Sequence, residues 1–257
     1  MEETKVALIT GASSGIGAAV LRRLASKGFI VVGCARRVEL IEEIASEFPS
    51  GRVFPYKCDI TSESELKTMF DWVKDKFPET LRIVFANAGC SIDKGLMEGD
   101  FTTWRKLMDV NLISPSALTQ YAIKYWTDKS PEKGYGKIVY LNSLSAHVRV
   151  FRDILRFYGV TKDALNSLAR YWRDEVKEKY PNHSICIGEI CPGLVKTDFL
   201  GAMLGKDDIK TKHINDYFLT APFILPEEIA DAFEHMISTP KNIQIEDIVI
   251  RNTKQVL

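Results

Sequence analysis

The chain alternates short, almost continuously apolar runs with longer segments whose apolar residues recur at helical spacing. The runs are rich in Val and Ile and lack the strict apolar–polar alternation of a strand with one solvent-exposed face. Near-continuous apolar strands are typical of a parallel sheet that helices cover on both faces. The seven predicted strands lie within 5–10, 29–35, 52–60, 81–88, 137–143, 184–190 and 246–251.

The segments between these runs predict helices. Gly28 fits the end of the first helix, and Ser62 with Glu65 has capping-box spacing at the start of the third. The alternation predicts an α/β fold: a Rossmann-type, doubly wound parallel sheet of about seven strands with right-handed crossovers. The predicted helices cover 17–27, 38–48, 64–77, about 101–128, about 158–180 and 226–238.

No linker, repeat or low-complexity segment divides the 257 residues, so we expect a single domain over 1–257. Residues 200–225 interrupt the rhythm, because Gly, Lys and Asp are mixed there with large apolar residues. A segment of this kind near the end of an α/β domain predicts a lid over a binding crevice.

Charge and cysteine content exclude several classes of partner. The 34 basic and 34 acidic side chains cancel, so nucleic acid and anionic membrane surfaces are not expected partners. No apolar stretch approaches the roughly 18 residues of a membrane span. The four histidines lack ligand spacing, which argues against a metal site. Five cysteines without a CxxC pair, and no signal peptide, indicate reduced thiols in the cytoplasm.

Three glycines, Gly11, Gly15 and Gly17, join the first strand to the first helix. A tight turn needs a residue without Cβ, and so does close approach of the backbone to a phosphate. The free amides and positive end of the following helix attract an anion. The pattern predicts a nucleotide site, and the alternative is a purely structural turn.

Arg36 and Arg37 follow the second strand, where a protein that binds NAD usually offers a carboxylate to the ribose hydroxyl. Arginine instead binds a ribose phosphate through parallel charge-assisted hydrogen bonds. NADP(H) is therefore the expected cofactor, unless the two arginines are only the solvated start of the second helix. After the third strand, Asp59, followed by Ile60, is equally suited to an adenine amino group or to capping a turn.

Tyr158 and Lys162 are four residues apart on the fifth predicted helix, so their side chains meet on one face. A nearby ammonium favours the phenolate and lowers the pKa of the phenol from its usual value near 10. The pair therefore predicts a tyrosine general acid/base tuned by a lysine. On its own the spacing is common by chance.

Taken together, these motifs resemble the classical short-chain dehydrogenase/reductase family. The matches occur in the family's order and cover nearly the whole chain: 10–17, 87–89, Asn111, Ser143, 158–162 and 192–197. A closer resemblance, to the branch that contains dehydrogenase/reductase member eleven and the insect farnesol dehydrogenases, is carried by 31–37, 141–147 and 239–256.

The resemblance implies hydride transfer at a nicotinamide with proton transfer through Tyr158. It implies that Ser143 hydrogen-bonds the substrate oxygen, that Lys162 also holds the nicotinamide ribose, and that Asn111 anchors a water in a proton relay. The cofactor contacts it implies are Gly11, Ser13, Ser14, Gly15, Ile16, Gly17, Arg36, Arg37, Asp59, Ile60, Asn87, Ala88, Gly89, Tyr158, Lys162, Pro192, Gly193, Val195 and Thr197.

The catalytic serine has two candidates. Counting back from Tyr158 selects Ser145, whereas counting forward from the fifth strand selects Ser143. Strand ends fix positions better than loop lengths do, so Ser143 is preferred.

The leading hypothesis is an NADP(H)-dependent enzyme that acts on an apolar alcohol, ketone or aldehyde, such as farnesol, a steroid or a related carbonyl compound. The alternative is a catalytically silent NADPH-binding module that senses redox state. A homodimer or homotetramer, paired through the outer faces of the fourth and fifth helices, is expected from the family.

Overall fold

The computed structural model describes residues 5–128, 134–148, 155–204 and 221–255. Its centre is one seven-stranded sheet in the order β3-β2-β1-β4-β5-β6-β7, and every pair of neighbours is parallel. The strand order reverses between β1 and β4, where a crevice opens beyond the carboxyl ends of the strands. The strands are β1 (Val6–Thr10), β2 (Ile30–Ala35), β3 (Val53–Lys57), β4 (Leu81–Ala86), β5 (Tyr135–Leu141), β6 (Ser184–Pro192) and β7 (Asp247–Ile250).

Helices cover both faces of the sheet and bury one apolar core on each. Successive residues of β1 point to opposite cores, since Leu8 belongs to the core on one face of the sheet and Ile9 to the core on the other. The predicted Rossmann-type single-domain fold is confirmed. The helices are α1 (Gly15–Ser26), α2 (Glu39–Ala45), α3 (Glu63–Lys76), α4 (Phe101–Met108), α5 (Ser114–Asp128), α6 (Arg156–Lys179), α7 (Phe199–Leu204) and α8 (Pro226–Ser238).

Local signals at the element ends behave largely as expected. Gly28, just beyond α1, has a φ of +92°, a left-handed conformation that favours glycine. Ser62 caps α3 by accepting from the N–H of Glu65 over 3.3 Å. The reciprocal half of the predicted capping box does not form, because the Glu65 carboxylate accepts from the N–H of Asp59 over 2.8 Å, whereas the N–H of Ser62 donates to the Asp59 carbonyl.

The predicted long helix over 101–128 is interrupted by a π-helical turn over Asp109–Ile113. The Ser114 hydroxyl donates to the carbonyl of Asp109 over 2.6 Å, and Pro115, which has no N–H, follows it. Apolar spacing does not distinguish an α-turn from a π-turn, which is why the sequence predicted one continuous helix.

The predicted lid at 200–225 lies mostly outside the described residues, which omit 205–220. Its described ends form α7 and a segment in which Ile224 makes a parallel bridge to Val195. The N–H of Ile224 donates to the carbonyl of Leu194 over 2.8 Å. The carboxyl-terminal end of the segment is therefore attached beside the end of β6.

Candidate active site

A cleft of about 1700 Å³ opens at the carboxyl ends of β1, β2, β4, β5 and β6. Nearly all of the predicted site residues line it. Gly17 and Asn111 lie behind it and contact residues of its wall. The predicted residues in the lining are Gly11, Ser13, Ser14, Gly15, Ile16, Arg36, Arg37, Asp59, Ile60, Asn87, Ala88, Gly89, Ser143, Tyr158, Lys162, Pro192, Gly193, Val195 and Thr197.

The glycine turn leaves room where side chains would fill the cleft or collide with its wall. Gly11 and Gly15 have φ values of +65° and +56°, which favour glycine. A Cβ on Gly17 would lie 2.4 Å from the carbonyl oxygen of Gly11, and one on Gly15 would lie 3.2 Å from Thr197. The start of α1 can therefore approach a phosphate closely, and the turn fits a dinucleotide.

The end of β4 is fixed to the glycine turn. The Asn87 amide donates to the carbonyls of Thr10 and Gly11 over 2.7 and 3.2 Å. The Thr10 hydroxyl accepts from the N–H groups of Asn87 and Ala88 over 3.1 Å each. Asn87 therefore links the ends of β1 and β4. Ala88 and Gly89, which have a methyl group and no side chain, respectively, line the cleft.

Charged side chains gather at the ends of β2 and β3. Arg37 Nη2 donates to the Ser14 hydroxyl over 3.3 Å, which ties it to the glycine turn. Asp59 caps a turn, since its Oδ1 accepts from the N–H and hydroxyl of Thr61. The hydrogen bond from the Thr61 N–H lowers the pKa of Asp59, and the nearby positive charge of Arg36 acts in the same direction.

Asn111 lies in the π-helical turn and is almost fully buried. Its Oδ1 accepts from the N–H of Cys90, and its Nδ2 donates to the Cys90 carbonyl, each over 2.9 Å. Nδ2 also donates to the Thr161 hydroxyl over 3.1 Å. The side chain therefore joins the loop after β4 to α6, one residue before Lys162.

Ser143 follows β5 and meets Tyr158 at the start of α6. The interaction of the Ser143 hydroxyl with the phenol of Tyr158 lowers the pKa of that phenol. Ser143 Oγ also accepts from the N–H and hydroxyl of Ser145 over 3.1 and 2.8 Å. The geometry thus puts Ser143 next to the phenol and Ser145 behind Ser143, as an orienting neighbour.

The structure does not show the lowered pKa of Tyr158 that the nearby Lys162 led us to expect. Tyr158 as a whole is only partly buried, but desolvation of its hydroxyl raises the pKa to about 12. Lys162 is buried, and this lowers its own pKa to about 8. Its Nζ donates to the Leu141 carbonyl over 2.7 Å and lies 5.6 Å from the centre of the Tyr158 ring. Burial of the hydroxyl therefore affects the pKa of Tyr158 more than the Lys162 ammonium does. The spacing of the two residues in the sequence cannot reveal this.

Comparisons with known proteins agree with this arrangement. A family model described as short chain dehydrogenase matches residues 5–207, which contain the glycine turn, the Ser143–Tyr158–Lys162 group and the end of β6. The chain belongs to the short-chain dehydrogenase family.

Relatives and solved structures of the family extend over the whole chain. Human dehydrogenase/reductase SDR family member 11 is 35% identical, with 98% of this chain and 95% of the human protein covered. Farnesol dehydrogenase of Aedes aegypti is 30% identical, with 96% and 95% covered. The alcohol dehydrogenase of Thermococcus sibiricus, solved with 5-hydroxy-NADP, is 28% identical, covers 99% of both chains and has a TM-score of 0.81.

The carboxyl-terminal tail of this short-chain dehydrogenase also reaches the cleft, a feature that the sequence analysis missed. Gln255 lines the cleft, and its Oε1 accepts from the N–H of Leu194 over 3.1 Å. Asn252 Nδ2 donates to the Phe223 carbonyl over 3.0 Å. The tail thus contacts the residue pair just after β6 and, at Phe223, the carboxyl-terminal end of the segment that the sequence predicted as a lid. Both amides lie within 239–256, a stretch that carries the family resemblance but no signal of a contact with the cleft.

Other lining residues also lacked a sequence signal. Lys106 and Val110 approach from α4 and the π-turn, and Cys34, Cys58 and Cys90 approach from the strand ends. All five cysteines of the chain are described and free. Among the described helices, none is both long and apolar enough to cross a bilayer.

Proposed function

We propose that the protein is an NADP(H)-dependent oxidoreductase that transfers hydride between nicotinamide and an apolar alcohol or carbonyl compound. One observation carries the proposal: the glycine turn and the Ser143–Tyr158–Lys162 group line the same cleft. A dinucleotide held at the turn would extend toward the phenol, as expected for a site at the switch point of a doubly wound sheet.

The bound cofactor would supply the hydride chemistry, and the chain would bind, orient and exchange a proton. Gly11, Ser13, Ser14 and Ile16 would contact the phosphates, and the amides at the start of α1 would stabilise their charge. The Lys162 ammonium would hold the ribose hydroxyls of the nicotinamide half. Thr197 would contact the carboxamide.

Tyr158 would be the proton donor in carbonyl reduction. With a pKa of about 12 the phenol is protonated at neutral pH, which suits a general acid. Ser143, which lines the same cleft as the phenol, would hold the substrate oxygen. The reverse reaction needs a lower pKa, and the positive charge of an oxidised nicotinamide would act in that direction. Asn111 would anchor a water in the relay that restores the proton.

Arg36 would select NADP(H) by binding the ribose phosphate, with Arg37 beside it. Arg36→Ala should lower NADPH affinity roughly 10- to 150-fold, the value of one charged hydrogen bond of about 1.5–3 kcal/mol. NADH affinity should change much less, because NADH lacks the phosphate. Fluorescence titration with both cofactors measures the ratio.

Arg22→Ala is a matched control, because Arg22 is paired with Glu47 on the surface. This variant should leave both affinities unchanged. Equal losses of NADPH and NADH affinity in Arg36→Ala would contradict the assignment.

An apolar substrate is supported by the lining near Tyr158, where Leu144, Leu155, Phe199 and Leu200 face the cleft. The rings of Phe199 and Tyr158 are 5.8 Å apart. A farnesol-type isoprenoid, a steroid or a related ketone has the matching character, and the first of these is consistent with the name of the mosquito relative.

A panel of such alcohols, aldehydes and ketones, scored by loss or gain of NADPH absorbance, tests the proposal. Tight NADPH binding without turnover of any member would favour the silent redox-sensing module. That alternative is not favoured, because Ser143, Tyr158 and Lys162 line one cleft and Asn111 is hydrogen-bonded to Thr161, the residue before Lys162.

A homodimer or homotetramer in the cytoplasm completes the proposal. A groove between α5 and α6 is lined by Leu112, Leu168 and Trp172, and Ile113 and Tyr171 at the same groove are 56% and 73% exposed. Burying such apolar surface against a second copy would stabilise an oligomer. Sedimentation of the purified chain measures its mass in solution.

A further inference from the structure

Glu189 lies in the middle of β6 with none of its surface exposed. It is the one carboxylate among the fully buried residues of the described ranges. Burying a charge is costly unless partners compensate it. The amide of Asn142 donates to Glu189 Oε2, whereas Oε1 is buried without a hydrogen-bond partner. Such a group needs an explanation beyond packing.

Asn142 connects Glu189 to the proposed catalytic group. The same Nδ2 that contacts Glu189 also donates to the backbone carbonyl of Lys162 over 3.2 Å. Asn142 stands between Leu141, whose carbonyl accepts from Lys162 Nζ, and Ser143. Its own N–H donates to the Ile190 carbonyl over 2.8 Å. Lys162 is thus held at both its backbone and its ammonium by one short segment, and Glu189 fixes the centre of that segment.

We propose that Glu189 is a positioning residue, which orients Ser143 and Lys162 through Asn142 and supplies the negative charge that keeps the buried ammonium of Lys162 protonated. This rests on the roles proposed above for Ser143 and Lys162. Glu189, a carboxylate on β6 behind the cleft, would then be one of the groups that determine how activity depends on pH.

The charges around Glu189 fit this role. From α6, Lys162 and Arg173 face it, and Arg173 donates to the Ile187 carbonyl over 3.1 Å. From β7, the exposed Asp247 faces it with like charge. Desolvation raises the pKa of Glu189 to about 7, against the Asn142 hydrogen bond, which lowers it.

Two further titratable groups face the carboxylate and stay neutral near pH 7. Tyr140 on β5 and Cys191 on β6 both have pKa values that burial raises well above their usual range. Because the Cys191 thiol is uncharged at working pH, the carboxylate of Glu189 is the anion that supports Lys162. Between about pH 7 and 8 the two groups then carry opposite charges.

Glu189→Gln removes the charge and retains an acceptor for Asn142. Without the anion, desolvation lowers the pKa of Lys162 further, so the ammonium is lost at lower pH. The alkaline limb of the kcat/KM profile should move down by about one pH unit, the lower end of the usual effect of a neighbouring charge. Below the pKa of Glu189 the wild type also has a neutral side chain there, so the two profiles should converge.

Glu246→Gln is the matched control, because it removes an exposed carboxylate that lies 3.8 Å from Arg173 and keeps the backbone carbonyl that accepts from the N–H of Glu189. Its profile should superimpose on that of the wild type. Superimposable profiles of Glu189→Gln and the wild type would overturn the proposal, whatever the thermal stability of the variant.

An NMR titration of the Lys162 side chain separates this proposal from the proposed activity, because it needs no turnover. The midpoint should fall by about one unit in Glu189→Gln. The wild-type resonance should show a second inflection near pH 7 from Glu189. Should Glu189→Gln fail to fold, Asp247→Asn on the exposed edge strand removes a like charge and should move that inflection to lower pH. Absence of the inflection in wild-type protein would refute the charge coupling even if the enzyme turns over NADPH.

Discussion

Tyr158→Phe should lower kcat by at least about 100-fold, the lower bound of what general acid–base catalysis contributes. The phenol is the proposed proton donor, and phenylalanine keeps the ring beside Phe199 while removing the exchangeable proton. NADPH affinity should stay within a few-fold of the wild type, because the glycine turn and Lys162 are untouched. Steady-state turnover of a responsive carbonyl, together with fluorescence titration of NADPH, measures both.

Tyr171→Phe is the control for this variant, since Tyr171 is 73% exposed on the same helix. It should turn over at the wild-type rate. If Tyr158→Phe retained wild-type kcat, the phenol would not be the acid, and the mechanism would need another proton donor.

Ser143→Ala should reduce kcat far more than Ser145→Ala. We expect a loss of about 100- to 1000-fold for Ser143, comparable with removing one donor to a developing oxyanion. Ser145→Ala removes a donor to Ser143 Oγ but leaves the Ser145 N–H in place, so a loss of about tenfold or less is expected. Parallel kinetics of the two variants decide the assignment, and the reverse ranking would make Ser145 the catalytic serine.

The sheet was predictable because buried parallel strands have a distinctive composition. All seven apolar runs became strands, and Pro55 is tolerated because β3 is an edge strand. The interruption at Asp109–Ile113 was not predictable, since it depends on the hydroxyl of Ser114 and on the contact of Asn111 with Cys90. Side-chain contacts of this kind leave no periodic trace in the chain.

The candidate site was predictable where function is tied to strand ends. The glycine turn, Arg36 and Ser143 follow strands whose carboxyl ends meet at one edge of the sheet, and Tyr158 is marked by its spacing from Lys162 on α6. The pKa values of the site residues were not predictable from the sequence. The sequence indicated that Lys162 lowers the pKa of Tyr158, whereas desolvation dominates, and desolvation depends on the packing of several elements.

Residues that act on the site through neighbouring residues could not be identified from the sequence. Gln255 reaches the end of β6 from the carboxyl-terminal tail, and Glu189 reads in the sequence as one polar residue within an apolar strand. Both were identified only when their hydrogen-bond partners, Leu194 and Asn142, were placed beside them.

The central claim is direct hydride transfer between a bound nicotinamide and an apolar carbonyl. Its most direct test uses NADPH carrying deuterium at the reactive face of nicotinamide C4, with an apolar ketone or aldehyde that consumes NADPH. We predict one deuterium on the carbinol carbon of the product alcohol, with the oxygen-bound proton taken from the protein and solvent. Product alcohol without deuterium from either face of labelled NADPH would contradict the account.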